Sequence, residues 1–134
     1  MNLFLLIVAG FAVFLFARTL LLARPGLSPA QAQAALKAGT AVLIDVREPG
    51  EWTGGVAKNA VLLPFSDLRG PRSRWQAFLG KNRGKQLLLY CQSGTRSGMA
   101  ARLLASEGLN AINTGGLGGW VRSGWPTEVP RRSR

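Results

Sequence analysis

An uncharged apolar segment at the N-terminus constrains the fold of this chain more than any other feature. From Leu3 to Ala17 there is no charged side chain, and only an Arg-Thr pair at 18–19 separates this run from Leu20–Ala23. As an α-helix, the segment from Leu3 to Ala23 is about 31 Å long, which matches the hydrocarbon core of a bilayer. We therefore predict a transmembrane helix at 1–24, a linker at 25–29, one soluble domain at 30–128 and a basic tail at 129–134.

A cleaved signal peptide is the alternative interpretation of this apolar segment. No Lys or Arg precedes the segment and no small-x-small cleavage motif follows it, so the pattern favours an uncleaved anchor. Arg18, Arg24 and Lys37 lie in or after the segment, and the positive-inside rule then places the soluble domain in the cytoplasm. The expected location is the cell inner membrane, crossed once.

Charge and composition limit the chemistry open to the soluble domain. The chain has a formal net charge of +11, one cysteine and no histidine. The lack of histidine excludes Ser-His and Cys-His catalytic pairs and most zinc sites, so we expect neither a metal nor a cofactor. The positive charge favours the anionic lipids of the inner leaflet, where a membrane-protein partner would also fit. A nucleic-acid partner is not favoured, because no recognised reading motif accompanies the basic residues.

Short apolar strands alternate with helices in the soluble domain. The pattern predicts strands at 41–46, 61–63, 86–90 and 109–113, and helices over 28–39, 66–80, 97–107 and 117–122. Ser28-Pro29 is a typical helix start, and Gly39 a typical helix end. Because the strands are continuous apolar runs, we predict an α/β fold with a parallel sheet covered by helices on both faces.

Cys91 is the candidate nucleophile because of the residues that follow it. It ends the apolar run 87–90 and opens the polar loop Cys91-Gln92-Ser93-Gly94-Thr95-Arg96 ahead of a predicted helix. Backbone N–H groups of such a loop form an anion-binding nest, and the helix dipole and Arg96 add positive potential. We therefore expect a depressed pKa and a thiolate at Cys91. The alternative is a structural cysteine buried at the end of a strand.

Three stretches of the soluble domain carry a family resemblance. They are Leu43-Ile44-Asp45-Val46-Arg47-Glu48 with Glu51-Trp52, Gly55, Ala60 and Pro64; Tyr90-Cys91-Gln92-Ser93-Gly94-Thr95-Arg96-Ser97; and Gly115-Gly116 with Trp120. In these stretches the chain resembles the rhodanese (sulfurtransferase) domain family. The stretches lie between about Ser28 and Pro126 and follow one another in the same order as in that family. Where many members of that family have Gly-His-Ile-x-Gly-Ala, this chain has Gly55-Val56-Ala57-Lys58-Asn59-Ala60.

The resemblance implies both a fold and an activity. The fold would be a five-stranded parallel sheet flanked by helices. Cys91 would take a sulfane sulfur from thiosulfate or a persulfide donor, and would pass it to a thiol or cyanide acceptor. The substrate-binding residues would be those of the loop, and Asp45, Arg47 and Glu51 would order the loops around it. The loop residues are Gln92, Ser93, Gly94, Thr95, Arg96 and Ser97.

Two other functions remain open at this point. One is a non-catalytic rhodanese-fold module that binds a partner or carries persulfide at the membrane. The other is a cysteine-based phosphatase or arsenate reductase. Four residues separate Cys91 from Arg96, whereas related cell-cycle phosphatases have five. A smaller loop suits one sulfur atom better than a phosphoryl group, so the spacing favours sulfur transfer.

Overall fold

The computed structural model describes residues 2–131 and consists of a long N-terminal helix joined to an α/β domain. The helices are α1 (Leu3–Ala23), α2 (Pro29–Lys37), α3 (Pro49–Trp52), α4 (Phe65–Arg69), α5 (Ser73–Lys81), α6 (Thr95–Ser106) and α7 (Leu117–Arg122). The strands are β1 (Ala41–Asp45), β2 (Val56–Ala57), β3 (Val61–Leu62), β4 (Gln86–Cys91), β5 (Ala111–Gly116) and β6 (Thr127–Glu128). An α/β domain with a parallel sheet is therefore confirmed.

Helix α1 stands apart from the domain along most of its length. Its N-cap is Asn2, whose Oδ1 accepts a hydrogen bond from the Phe4 N–H at 3.2 Å. The apolar side chains of α1 are exposed until the last turn, where Leu22 and Ala23 become half-buried against the domain. By length and composition α1 is able to cross a membrane.

The central sheet has four parallel strands in the order β3-β1-β4-β5, so the predicted number of five strands is wrong. The segment before α2 crosses the outer edge of β5, where the Gly26 N–H donates to Asn113 O at 2.8 Å. Pro25 has no N–H with which to extend this pairing into a strand. Strands β2 and β6, which the sequence patterns did not indicate, pair antiparallel in a separate sheet.

Apolar side chains cover both faces of the central sheet because successive residues of β4 point to opposite sides. On one face Leu87, Leu89 and Cys91 pack with α4, α5 and α6; on the other, Leu88 and Tyr90 pack with α2 and α7. All five side chains are 1 % exposed or less. Cys91 therefore ends a buried strand directly beneath α6.

Two predicted helices have different bounds in the structure. The single helix expected over 66–80 is divided into α4 and α5, because Pro71 interrupts the backbone and Arg72 adopts a left-handed conformation (φ 60°). Helix α6 begins at Thr95 rather than at Ser97, since Gly94 (φ 93°) completes the turn from β4. This early start brings the first turn of α6 over Cys91. Of the predicted basic tail, residues 132–134 lie outside the described residues.

Candidate active site

The candidate site lies at the carboxyl edge of the sheet, where adjacent parallel strands end together. Asp45, the last residue of β1, is paired in register with Tyr90 of β4, and Cys91 follows immediately. In open parallel sheets this edge forms the crevice that binds ligands. The fold therefore brings the candidate nucleophile next to the Asp45-Val46-Arg47 segment.

The loop after β4 encloses the sulfur of Cys91 with hydrogen-bond donors. Its Sγ lies 3.1 Å from the Gly94 nitrogen, 3.5 Å from the Ser97 nitrogen and 3.4 Å from Ser97 Oγ. These groups converge because Gly94 turns the chain and α6 begins directly afterwards. Such an arrangement of N–H groups stabilises a negative charge at its centre.

Two opposing effects act on the pKa of the Cys91 thiol. Burial, which is the larger single effect, raises the pKa because it disfavours the charged thiolate. Hydrogen bonds from the Ser97 hydroxyl and from the backbone N–H groups of Ser97, Ser93 and Gly94 together lower it further than burial raises it. The net pKa lies below that of an ordinary thiol, as expected for a nucleophilic cysteine.

The guanidinium group of Arg96 binds the Glu51 carboxylate and does not bind the sulfur of Cys91. Its two terminal nitrogens lie 2.5 and 2.8 Å from the carboxylate oxygens of Glu51. The hydrogen bond from Arg96 lowers the pKa of Glu51 to about 2 against the opposing effect of burial. The same bond raises the pKa of Arg96, and the charge of Cys91 adds to that increase. Glu51 thus orders Arg96 at the edge of the loop.

A buried ion pair supports the loop from beneath. Arg47, 3 % exposed, donates from Nη2 to Asp45 Oδ2 at 2.9 Å and to the Gly55 carbonyl at 2.7 Å. Its Nη1 donates to the Glu51 carbonyl at 3.2 Å and to Gln92 Oε1 at 3.3 Å. Arg47 therefore connects β1, α3 and the residue that follows Cys91.

Tyr90 completes this buried network. Its hydroxyl donates to Asp45 Oδ2 at 2.6 Å and accepts from the Ala57 N–H at 2.9 Å. Burial and the hydrogen bond to Asp45 raise the pKa of Tyr90, so the hydroxyl keeps its proton and remains a donor. Asp45 acts on the loop through Arg47 and Tyr90, and it makes no hydrogen bond to the sulfur among the described residues.

Asn113, which the sequence patterns indicated only as the end of a strand, also belongs to the site. Its Oδ1 lies 2.8 Å from Ser97 Oγ and accepts from the Gly115 N–H at 3.0 Å. Its Nδ2 donates to the Gly94 carbonyl at 3.1 Å. A polar residue inside a buried strand was the available signal, because such a group needs hydrogen-bond partners.

The remaining loop residues lie at the rim of the site. Gln92 and Ser93 are exposed, whereas Thr95 and Arg96 are half-buried. Beside Gln92 and Ser93 is a cavity of about 360 Å³ whose walls also come from the end of α1, the following linker, and the β5–α7 turn. Of the predicted loop residues, the structure thus places Gly94 and Ser97 against the sulfur, Arg96 against Glu51, and Gln92 and Ser93 beside the cavity.

This fold and this loop define a family. A model of the rhodanese-like domain matches residues 28–123, which is more than half of the chain, so the chain belongs to the rhodanese-like domain family. It is 41% identical over 88 residues to an uncharacterized protein, slr1261, of Synechocystis, an alignment that covers 64% of this chain and 46% of the relative. A sulfurtransferase of Allochromatium vinosum is 31% identical over 91 residues, or 66% of this chain and 79% of that protein.

Solved structures agree with the family assignment. A rhodanese-related protein of Thermoplasma volcanium superposes with a TM-score of 0.65 at 29% identity, over 80% of this chain and 100% of its own. A human single-domain sulfurtransferase superposes with a TM-score of 0.60 at 28% identity, over 74% and 96% of the two chains. The chain spans about half the length of slr1261. Relatives with sulfurtransferase names support an enzyme of the sulfurtransferase type at the level of the family.

Proposed function

We propose that the protein is a sulfurtransferase that moves a sulfane sulfur through a persulfide on Cys91. The observation that carries this proposal is the environment of Sγ, where donors from Gly94 and Ser97 converge and the pKa of the thiol is lowered. An ionised thiol needs no general base to act as a nucleophile, and the chain contains no histidine to serve as one.

In the first half of the cycle, the Cys91 thiolate attacks the outer sulfur of a donor such as thiosulfate. A bond forms between Sγ and this sulfur, the sulfur–sulfur bond of thiosulfate breaks, and sulfite leaves with the bonding electron pair. The product is a Cys91 persulfide anion whose charge rests on the outer sulfur. N–H groups of the loop are suited to stabilise that charge, and Arg96 lies close enough to contribute through its field.

In the second half, a thiolate acceptor attacks the outer sulfur of the persulfide. The bond between the two sulfurs of the Cys91 persulfide breaks, the acceptor becomes a persulfide, and the Cys91 thiolate is regenerated. Cyanide would take the same sulfur to give thiocyanate. The two steps consume no oxidant or reductant, which agrees with a site built from one thiol and its hydrogen-bond donors.

The proposal places this chemistry at the cytoplasmic face of a membrane. Helix α1 has the length and composition of a membrane span, and its last turn contacts the domain beside the Cys91 loop. Arg18 and Arg24 near the end of α1 favour retention of that end on the cytoplasmic side. Anionic lipid of that leaflet would attract the domain, because the chain carries a formal net charge of +11.

Mass spectrometry after incubation with thiosulfate tests the proposal. We expect a gain of about 32 Da, one sulfur atom, on the peptide that contains Cys91, together with release of sulfite. Addition of cyanide should remove the added mass and yield thiocyanate. Cys91→Ser should abolish both reactions, and Ser106→Ala, an exposed change at the end of α6, should preserve them.

Three outcomes separate the candidate functions. Turnover in the Cys91→Ser variant would contradict the assignment of the nucleophile. An unmodified Cys91 after exposure to thiosulfate and to small persulfides would exclude sulfur transfer and favour a binding module. Formation of the persulfide without repeated turnover would assign a carrier role instead.

A further inference from the structure

The C-terminal end of α1 packs directly on the active-site loop. Glycines at 94 and 98 permit this close approach: a Cβ at Gly94 would lie 2.7 Å from the carbonyl oxygen of Ala23, and one at Gly98 would overlap the carbonyl oxygen of Leu22. The contact brings the backbone of α1 against the loop and against the first turns of α6. The N-terminal helix therefore reaches the residues that surround the nucleophile.

Hydrogen bonds across this contact converge on the side chain of Asn113. Its Nδ2 donates to the carbonyl of Leu22 at 2.8 Å and lies 3.3 Å from that of Arg24. Both are carbonyls at the C-terminal end of α1, where no further helical turn supplies a partner. The backbone carbonyl of Asn113 also accepts from the Gly26 N–H at 2.8 Å, which fixes the segment that follows the helix.

The same side chain also contacts the loop that holds the sulfur. Asn113 Nδ2 lies 3.1 Å from the Gly94 carbonyl, and Asn113 Oδ1 lies 2.8 Å from Ser97 Oγ. The backbone N–H groups of both Gly94 and Ser97 face Sγ of Cys91. Asn113 is 8 % exposed and its amide group is held from both sides, so a shift of the α1 end changes the partners available to the loop.

We propose that Asn113 is a positioning residue through which the docked end of α1 holds the Cys91 loop, so that the N-terminal helix forms part of the active site. The bonds from Leu22 to Asn113, and from Asn113 to Gly94 and Ser97, form one continuous path to the donors around the sulfur. If the end of α1 leaves the domain, the groups of Gly94 and Ser97 that donate to Sγ are held less firmly. Because the donors lower the pKa of Cys91 against burial, loosening them raises it.

The test displaces the helix end without disturbing the fold of the domain. In Gly98→Ala the added methyl group overlaps Leu22 O and lies 3.2 Å from Asn113 Nδ2, while alanine is the better helix former inside α6. Gly80→Ala is the matched control, since that glycine is also helical and a Cβ there meets no atom within 4 Å.

The measurement is the rate of Cys91 alkylation by iodoacetamide as a function of pH, with the full chain in lipid nanodiscs. We expect the midpoint of the pH profile to rise by about half a unit in Gly98→Ala, so that alkylation becomes about threefold slower at pH values well below the midpoint. The midpoint in Gly80→Ala should equal that of the wild type. Hydrogen exchange at residues 24–27 should become faster in Gly98→Ala but not in Gly80→Ala, because displacement of the α1 end weakens the bond from the Gly26 N–H to Asn113 O.

A double variant distinguishes positioning from general loosening of the structure. Asn113→Ser shortens the side chain so that it no longer reaches Leu22, and its midpoint should rise as well. If both residues act through one path, the double variant should shift the midpoint no further than the larger single change. Additive shifts, or an unchanged midpoint in Gly98→Ala, would overturn the proposal, and Asn113→Ser alone decides the matter if Gly98→Ala does not fold. Alkylation needs no sulfur donor, so these results do not depend on the proposed sulfur transfer.

Discussion

At the scale of single residues, the state of Cys91 depends on a balance between burial and hydrogen bonding. The side chain is 0 % exposed, and burial alone would favour the neutral thiol. Hydrogen bonds from the Ser97 hydroxyl and from the backbone N–H groups of Ser93, Gly94 and Ser97 together reverse that preference. Because the sulfur is buried, a molecule that donates a sulfane sulfur can reach it only when the loop moves aside. The reactivity of this thiol is therefore a property of the loop as much as of the cysteine.

The Glu51–Arg96 pair gives a prediction about pH. Glu51→Gln removes the charge but retains an oxygen that can accept from the Glu48 N–H, as Glu51 does at 3.3 Å. The pKa of Glu51 is depressed from 4.5 to about 2, so the pair stabilises the folded state fully above pH 4.5 and loses that contribution as the pH falls towards 2. Chemical denaturation in detergent should show a difference of about 1 kcal/mol or less at neutral pH that vanishes near pH 2.

Glu107→Gln is the control for this experiment. Glu107 pairs with Arg72 at 2.6 Å, and the two side chains are about as exposed as those of Glu51 and Arg96. The Glu107 pair lies away from Cys91, so alkylation of Cys91 should change in Glu51→Gln and remain as in the wild type in Glu107→Gln. If the stability difference between Glu51→Gln and the wild type stays constant from neutral pH to pH 2, the Glu51–Arg96 pair is not the cause of that difference.

At the scale of secondary-structure elements, the ends of β1 and β4 are joined by buried polar groups rather than by apolar contacts. Asp45, Arg47 and Tyr90 are 0 to 3 % exposed, and the Asp45 carboxylate accepts hydrogen bonds from both Arg47 and Tyr90. This network also contacts the carbonyl of Gly55 and the side chain of Gln92. It therefore sets the position of the loop relative to the sheet.

Asp45→Asn should be strongly destabilising for that reason. The change keeps an oxygen for the Arg47 N–H, which Asp45 binds at 2.8 Å, but it leaves the buried guanidinium without a countercharge. Loss of one partner of a buried ion pair typically costs about 3–5 kcal/mol. We expect Asp45→Asn to lower the free energy of unfolding by about 3 kcal/mol, the smaller value of this range. Urea denaturation of the full chain in detergent measures it.

Asp67→Asn provides the comparison for Asp45→Asn. Asp67 is half-buried, and its carboxylate accepts only backbone N–H bonds, from Arg74 and Trp75, among the described residues. Asparagine retains an acceptor at this position and leaves no buried charge without a partner. The loss in the free energy of unfolding should therefore stay at about 1 kcal/mol. Equal losses in the two variants would show that the charge of Asp45 is not what matters.

Prediction of the elements succeeded where a local pattern was strong. Strand β4 is an unbroken apolar run, and α2 has both the Ser28 cap and the Gln31 that completes its capping box. The two-residue strands β2 and β6 were missed because so short a pairing leaves no periodic pattern. The break between α4 and α5 was signalled by Pro71, which a reading based on the apolar face alone overlooked.

At the scale of the whole molecule, α1 is both a candidate span and a neighbour of the site. If it crosses the bilayer with the domain on the cytoplasmic side, a reporter enzyme fused after Arg134 should be active only when it is of a type that works in the cytoplasm. A reporter that works only outside the inner membrane should stay inactive in the same position. Activity of the external reporter would place the domain on the opposite side.

Several properties of this protein follow from the sequence by itself, because each depends on neighbouring residues. The apolar helix α1, the strand that ends at Cys91 and the donor-rich loop of four residues before Arg96 are all local patterns. The family resemblance was confirmed by the match over residues 28–123, although its implied fifth strand is not present in the central sheet.

Only the tertiary structure decided which distant groups meet around the Cys91 loop. Glu51 and Arg96 are 45 positions apart, and Asn113 and Leu22 are 91 positions apart, yet each pair is within hydrogen-bond distance. No local propensity encodes such pairs, since they form only after strands and helices have packed in register. The sequence thus determines that Cys91 lies in a short glycine-containing loop between a strand and a helix. Packing determines that Arg96 is held by Glu51 and that the end of α1 contacts the same loop.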